Sequence, residues 1–366
     1  MECYALDEEA CLRLVTEICK SKSLKSISLR NCKMNVECGQ ILVNSPLVNQ
    51  LESLSLANCG LKNECIQLIC DSMKNLTELD VSASYLTYES GLKVIATSPN
   101  MKNLKTLNIG CVYGIPNDVA RLFETLTQLT SLDISKYKIG LRGCKSLSES
   151  FKSLTSLHVW DCEIGVEGAK CLSEIKTLKQ LTCPSNDLGV EGSKHIGTMT
   201  QLIFLNIGLN NIGAEGAEHI SKLVNLKQLF ITANSIGGKG AKHIAEMTNL
   251  TELQITSNDI GDEGAKSLSK LLKLRKLCCN NNGVGNEGAL AIANNLIELE
   301  KIELNDNPNV IDEGAKAIID LPFVKSVELS RDNLSEETQQ YCYKKMPRGL
   351  LMFAKRDWEY DGEFDE

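Results

Sequence analysis

Aromatic side chains are scarce in this chain, at 5% of 366 residues. That scarcity suits a core assembled from repeated aliphatic contacts. Clusters of basic residues are also missing, and the net charge is -8. This balance argues against nucleic acid or an anionic membrane surface as partner. No apolar run is long enough to span a bilayer, so no membrane insertion is expected. The opening MECYALDEEACLRLV has neither a basic leader nor an unbroken apolar stretch, and no secretory signal is read in it. The 16 cysteines show no zinc-type spacing and fall mostly at apolar positions. They are expected to be reduced, buried thiols of a cytoplasmic protein rather than disulfides. No glycine-rich phosphate loop follows a candidate strand. No composition break marks a linker or second globular domain.

What the sequence does hold is a period. From Leu202 the chain reads LIFLNIGLNNIGAEGAEHISKLVN, LKQLFITANSIGGKGAKHIAEMTN, LTELQITSNDIGDEGAKSLSKLLK and LRKLCCNNN. Leu202, Leu226, Leu250 and Leu274 recur every 24 residues, which signals a stacked array. In the unit from Leu250, the residues Leu250, Leu253 and Ile255 alternate with polar neighbours, predicting a short strand with one face inward. Asn258 follows at the turn, where an amide can satisfy backbone groups of adjacent coils. The turn column comprises Asn186, Asn210, Asn234, Asn258, Asn282 and Asn307, with Cys32, Cys59 and Cys162 in the same place earlier. Gly261 permits a positive φ. Asp262 and Glu263 suit the positive end of a helix. Ala265, Leu268 and Leu272 are expected to face inward at helical spacing. A single unit cannot bury its own apolar face, so the coils must stack.

This strand–loop–helix unit resembles the leucine-rich repeat, LxxLxLxxN/CxL, and most strongly its ribonuclease-inhibitor-like class. The resemblance implies an α/β solenoid with a parallel sheet on the concave face and helices on the convex face. Thirteen repeats open at Leu24, Leu51, Leu76, Leu104, Leu129, Leu154, Leu178, Leu202, Leu226, Leu250, Leu274, Leu299 and Val324. Residues 1–23 are predicted to form a capping helix, 24–334 the solenoid, and 335–366 a C-terminal cap and acidic tail. The first cap helix is expected from Asp7 to about Lys20. In the early coils Ser84 and Tyr137 replace the turn asparagine, and the fourth coil keeps its strand but blurs its turn. Ser335 and Glu336 are expected to open a last helix that ends at Pro347, with Leu350, Leu351 and Phe353 closing the end.

The concave face is the usual working surface of this architecture. Its column reads mainly Ser, Thr, Asn and scattered acids, except for His158, Trp160, Asp161, Phe204, Leu209 and Phe230. Exposed rings among polar residues are what an interface anchor looks like. With Glu252 and Gln254 they form the expected protein-binding surface. A second, acidic set, Glu252, Glu303, Asp306 and Glu328 with Glu78, Asp80 and Asp133, suits a basic partner surface or simply a solvated face. His195, His219 and His243 recur every 24 residues. Neighbouring helices lie about 10 Å apart, too far for one metal at roughly 2.1 Å from each ligand. No metal, cofactor or catalytic residue is expected, and the chain is read as a non-enzymatic monomer.

The near-identical IGxEGA units resemble leucine-rich-repeat effectors of intracellular bacteria such as Legionella. That resemblance implies a host protein as target and delivery by a route without a signal peptide. The acid-rich tail with Glu359, Asp361, Glu363, Asp365 and Glu366 is compatible with it. Two other readings stand beside it. One is a eukaryotic-type adaptor or inhibitor in ubiquitin ligation or innate sensing, for which no F-box or nucleotide-binding domain is seen. The other is a small-GTPase-activating regulator, which would have to use Arg30 or Arg331.

Overall fold

The computed structural model describes residues 6–111 and 124–346, with the backbone of 351–354. The expected turn of the fourth coil, the expected helix end at Pro347, Leu350 and the five tail acids lie outside these residues. The chain divides after Leu188 into two compact units.

The first unit opens with α1, Glu8–Ile18, capped by the Asp7 carboxylate, which accepts from the Ala10 N–H. Seven strands follow: β1 Ser26–Ser28, β2 Ser53–Ser55, β3 Glu78–Asp80, β4 Thr106–Asn108, β5 Ser131–Asp133, β6 Ser156–His158 and β7 Gln180–Thr182. They pair parallel, in chain order and in register. Each starts two residues after the repeat opening read from the sequence. The middle residue of every strand, from Ile27 to Leu181, is buried. Parallel neighbours require a crossover between them, and the intervening helices supply it. The long link before β4 holds an irregular turn at Tyr88–Leu92, a short helix Lys93–Thr97 and a 3₁₀ turn, Pro99–Asn103, whose start Ser98 caps. Pro99 fits there because the first residue of a helical turn needs no N–H.

The second unit holds β8 Phe204–Asn206, β9 Gln228–Phe230, β10 Glu252–Gln254, β11 Lys276–Cys278, β12 Lys301–Glu303, β13 Ser326–Ser330 and β14 Leu351–Ala354, again parallel and in chain order. Three of its regular coils carry eight-residue helices, Gly213–Ile220, Gly237–Ile244 and Gly261–Leu268. Gly261 has φ +60, and a Cβ there would meet nothing within 4 Å, so the glycine serves the bend alone. Gly264 serves packing: a Cβ there would lie 2.6 Å from the Ile260 Cβ and 3.1 Å from the Ala241 Cβ. The last helix, Glu336–Lys345, is capped by Ser335 accepting from the Thr338 N–H.

One expected core position is wrong. Leu272 is 62% exposed, and Leu271 is buried in its place. The helix ends at Leu268, so the 3.6-residue period no longer applies beyond it. The cysteines also need correcting. Of the fifteen described, all free thiols, Cys111, Cys171 and Cys278 are only partly buried. Cys278 alternates with core Leu277 and so sits on the face away from the helices.

The asparagine column is a ladder. Asn258 Nδ2 donates to Ile231 O of the preceding coil at 3.0 Å, and to Ile255 O and Thr256 O of its own. Its Oδ1 accepts the Asn234 N–H at 2.9 Å. Asn234 and Asn282 repeat the pattern, and Asn307 accepts from Asn282. In the first unit Asn186 Nδ2 donates to Val159 O at 2.7 Å. Tyr137 takes the same role with a longer arm, its hydroxyl donating to Ile109 O at 2.6 Å. Cys162 donates its thiol to Ile134 O at 3.4 Å, and Cys59 donates to Leu29 O.

Candidate partner-binding face

Strand alternation turns every second side chain away from the helices, and in each unit these side chains form an open sheet face. In the first unit that face is mostly small and polar. Asp80 and Asp133 are not free charges on it. Each accepts the N–H and hydroxyl of the serine two residues on, Ser82 and Ser135, and so shapes the strand exit. Asp80 also accepts from Arg30 at 3.2 Å.

Trp160 is different. Core-buried Val159 directs it outward, where it is 39% exposed. The Lys136 ammonium lies 3.9 Å from its ring centroid and 2.9 Å from Asp161 Oδ2. The cation thus rests on the electron-rich ring face while its charge is paired. Lys136 went unnoticed in the sequence, although the register places it one coil before Asp161 in the same column. His158 lies on the same strand, its Nε2 3.4 Å from Ser156 Oγ.

In the second unit Phe204 and Phe230 meet edge to face, with centroids 5.2 Å apart and planes at 72°. The diagonal step between adjacent strands brings them together. Leu209, on the turn after β8 with φ +56, is 58% exposed. Glu252 accepts from Gln228 Nε2 at 2.8 Å and lies 3.5 Å from the Lys276 ammonium, while Gln254 is half-buried beside it. Further along, Glu303 is paired with Lys301 at 2.6 Å and accepts the Cys278 thiol at 2.7 Å. Burial pushes that thiol up to about 12, and the carboxylate beside it adds to the effect. Burial opposes ionisation of Glu303 too, but hydrogen bonds from Cys278 and Lys301 outweigh it and hold the carboxyl below its usual range.

The histidine column does not converge. His219 Nδ1 lies 3.3 Å from Lys222 Nζ, and His243 Nδ1 3.7 Å from the Glu246 carboxylate, each on its own coil. Among the described residues no group of three His, Cys, Asp or Glu is placed to hold a metal ion. Arg30 is tied to Asp80, and Arg331 donates to Gln339 at 2.9 Å. No described helix is long and apolar enough to cross a membrane.

These features define a leucine-rich-repeat solenoid. The family model described as Leucine Rich repeat matches residues 152–173, 199–221 and 246–269. Among solved structures the chain is similar to an internalin from Listeria monocytogenes, at 20% identity and a TM-score of 0.60, covering 95% of this chain and 94% of that one. It is similar to a leucine-rich-repeat protein from Leptospira interrogans, at 20% identity and a TM-score of 0.50, with 92% of each chain covered. It is also similar to a chain of the Rad7–Elc1 complex from yeast, at 16% identity and a TM-score of 0.64, covering 94% and 87%. No curated protein matches it by sequence.

Proposed function

We propose that this chain is a non-enzymatic scaffold, working as a monomer, that grips a protein partner with the open face of its sheet. The observation that carries this is Trp160. A large ring stands on a face of small polar residues, held in place by Lys136 and Asp161, and the core does not need it there. The Phe204–Phe230 pair supports the same reading in the second unit. Rigid aromatic groups of this kind are the usual anchors of protein interfaces, and removing one costs about 2 kcal/mol or more of binding. The yeast relative in fold was solved in a complex with another protein, which fits a scaffold role. The test is affinity capture from a host-cell lysate followed by the double variant Trp160→Ala with Phe230→Ala. The variant is expected to keep its circular dichroism and unfolding midpoint and to lose the captured partner. Undiminished capture would remove these rings from consideration.

The finer reading is a bacterial effector that acts on a host protein. The IGxEGA repeats and the acid-rich tail support it. Deleting residues 347–366 is then expected to abolish delivery in a translocation assay, and full delivery without them would refute it.

A further inference from the structure

We propose that the cavity at the strand-exit turns of the first three coils binds an acidic segment of a protein partner. One carboxylate of the segment sits by Lys33 and Lys62, and one apolar side chain packs on Met34 and Tyr85. The site lies apart from the open sheet face and rests on the scaffold reading only in taking a protein as its guest.

The cavity holds about 430 Å³, within the range of ligand sites. Its lining comes from α1 and from the turns after β1, β2 and β3. Met34 and Cys59 are buried and give it an apolar wall. Tyr85 lines it as well, and at 70% it is the most exposed large hydrophobic side chain among the described residues. Lys33 and Lys62, both exposed, bring two ammonium groups, and Glu8 one carboxylate.

A later pair of coils shows what is missing. Lys138 and Glu163 lie one residue past the turn positions Tyr137 and Cys162, and their side chains pair at 2.6 Å. Lys33 and Gly60 lie one residue past Cys32 and Cys59, in the same parallel register. Lys33 thus holds the place of Lys138, but Gly60 has no side chain where Glu163 carries its carboxylate. The backbone is alike, with φ +63 at Gly60 and +54 at Glu163, and a Cβ on Gly60 would meet nothing within 4 Å. Neither Lys33 nor Lys62 is paired with a described acid.

The charge of the guest follows. Two ammonium groups against one carboxylate leave one positive charge over, in a chain of net charge -8. That balance suits a single carboxylate. A phosphate group carries about two negative charges at neutral pH and would meet Glu8 as well. An exposed ion pair adds little by itself, so the guest also needs an apolar side chain for Met34 and Tyr85.

The experiment uses the full chain with ¹³C-methyl methionine, titrated with acetyl-Glu-Phe-Glu amide. Loss of one methyl resonance in Met34→Leu assigns the reporter. That resonance is expected to shift and saturate at an affinity on the order of millimolar. Acetyl-Gln-Phe-Gln amide, of the same outline without charge, is expected to bind roughly tenfold more weakly. Acetyl-Glu-Gly-Glu amide, without the ring, is expected to give no saturating shift. Gly60→Glu supplies the missing carboxylate from within and is expected to abolish the titration while the circular dichroism stays unchanged. Lys33→Gln with Lys62→Gln removes both charges from the surface and is expected to weaken binding to the level of the glutamine peptide. Glu8→Gln removes a like charge and is expected to tighten it. A linear response overturns the proposal. So does an equal response to the glutamine peptide, a folded Gly60→Glu protein that still binds, or tighter binding of inorganic phosphate than of the peptide. The Trp160→Ala, Phe230→Ala protein keeps the titration if the cavity is the site. Failed partner capture with an intact titration then discards the ring anchors alone, and a failed titration with intact capture discards the cavity site alone.

Discussion

At the scale of single residues, the turn asparagines carry the most consequence. Asn258 satisfies three carbonyls and the N–H of Asn234, and it lies fully buried. Replacing it with alanine leaves those groups in a dry interior. One unsatisfied buried group costs about 1–3 kcal/mol, so Asn258→Ala is expected to destabilise by roughly 3 kcal/mol or more. The urea midpoint measures it, with an unchanged slope as the sign that the folded state is otherwise the same. The column itself was legible from the 24-residue spacing. Its substitutes were legible only in part. Tyr137 reaches the carbonyl that the asparagines reach, whereas Ser84 is too short and bonds only within its own turn, to Ser82 O at 3.4 Å.

At the scale of elements, spacing predicted each strand because a strand's alternation is local. The helix of the unit from Leu250 was read one turn too long, as Leu272 shows, because nothing in the repeat announces that the chain leaves helical geometry at Ser269. The open face was least legible. Whether an aspartate is a free charge or a turn brace depends on which hydroxyl sits two residues on, and Asp80 and Asp133 prove to be braces. Cys278 shows the same limit: it was expected among the buried thiols, and its bond to Glu303 on the open face needed three-dimensional register. The glycines separate cleanly by role. Gly264→Ala forces a methyl against Ile260 and Ala241, and overpacking of this kind costs about 1–3 kcal/mol. Gly261→Ala meets no atoms, and its cost is the left-handed backbone alone, about 1 kcal/mol. Thermal unfolding of the two variants is expected to rank Gly264→Ala as the less stable.

At the scale of the whole molecule, the buried thiols set its behaviour in alkali. Burial pushes Cys183 and Cys279 up to about 12, and Cys59, Cys65 and Cys342 up to about 11. An unfolded chain would ionise them near 8.5. The folded state therefore binds these protons more tightly, and their contribution to stability is complete below that pH. It is lost as pH rises through the folded values. Urea midpoints taken between pH 7 and 11 are expected to fall steadily above about pH 9, and replacing Cys183 and Cys279 with alanine should flatten that decline.

The ladder also governs how such a molecule can change its length. From Asn210 to Asn282 each asparagine N–H donates to the side-chain oxygen of the next coil's asparagine, 24 residues on. A whole coil can be gained or lost with every partner restored. The step from Asn282 to Asn307 is 25 residues, and the handover survives that single extra residue. Growth by duplication is thus written into the bonding pattern, as links are to a chain.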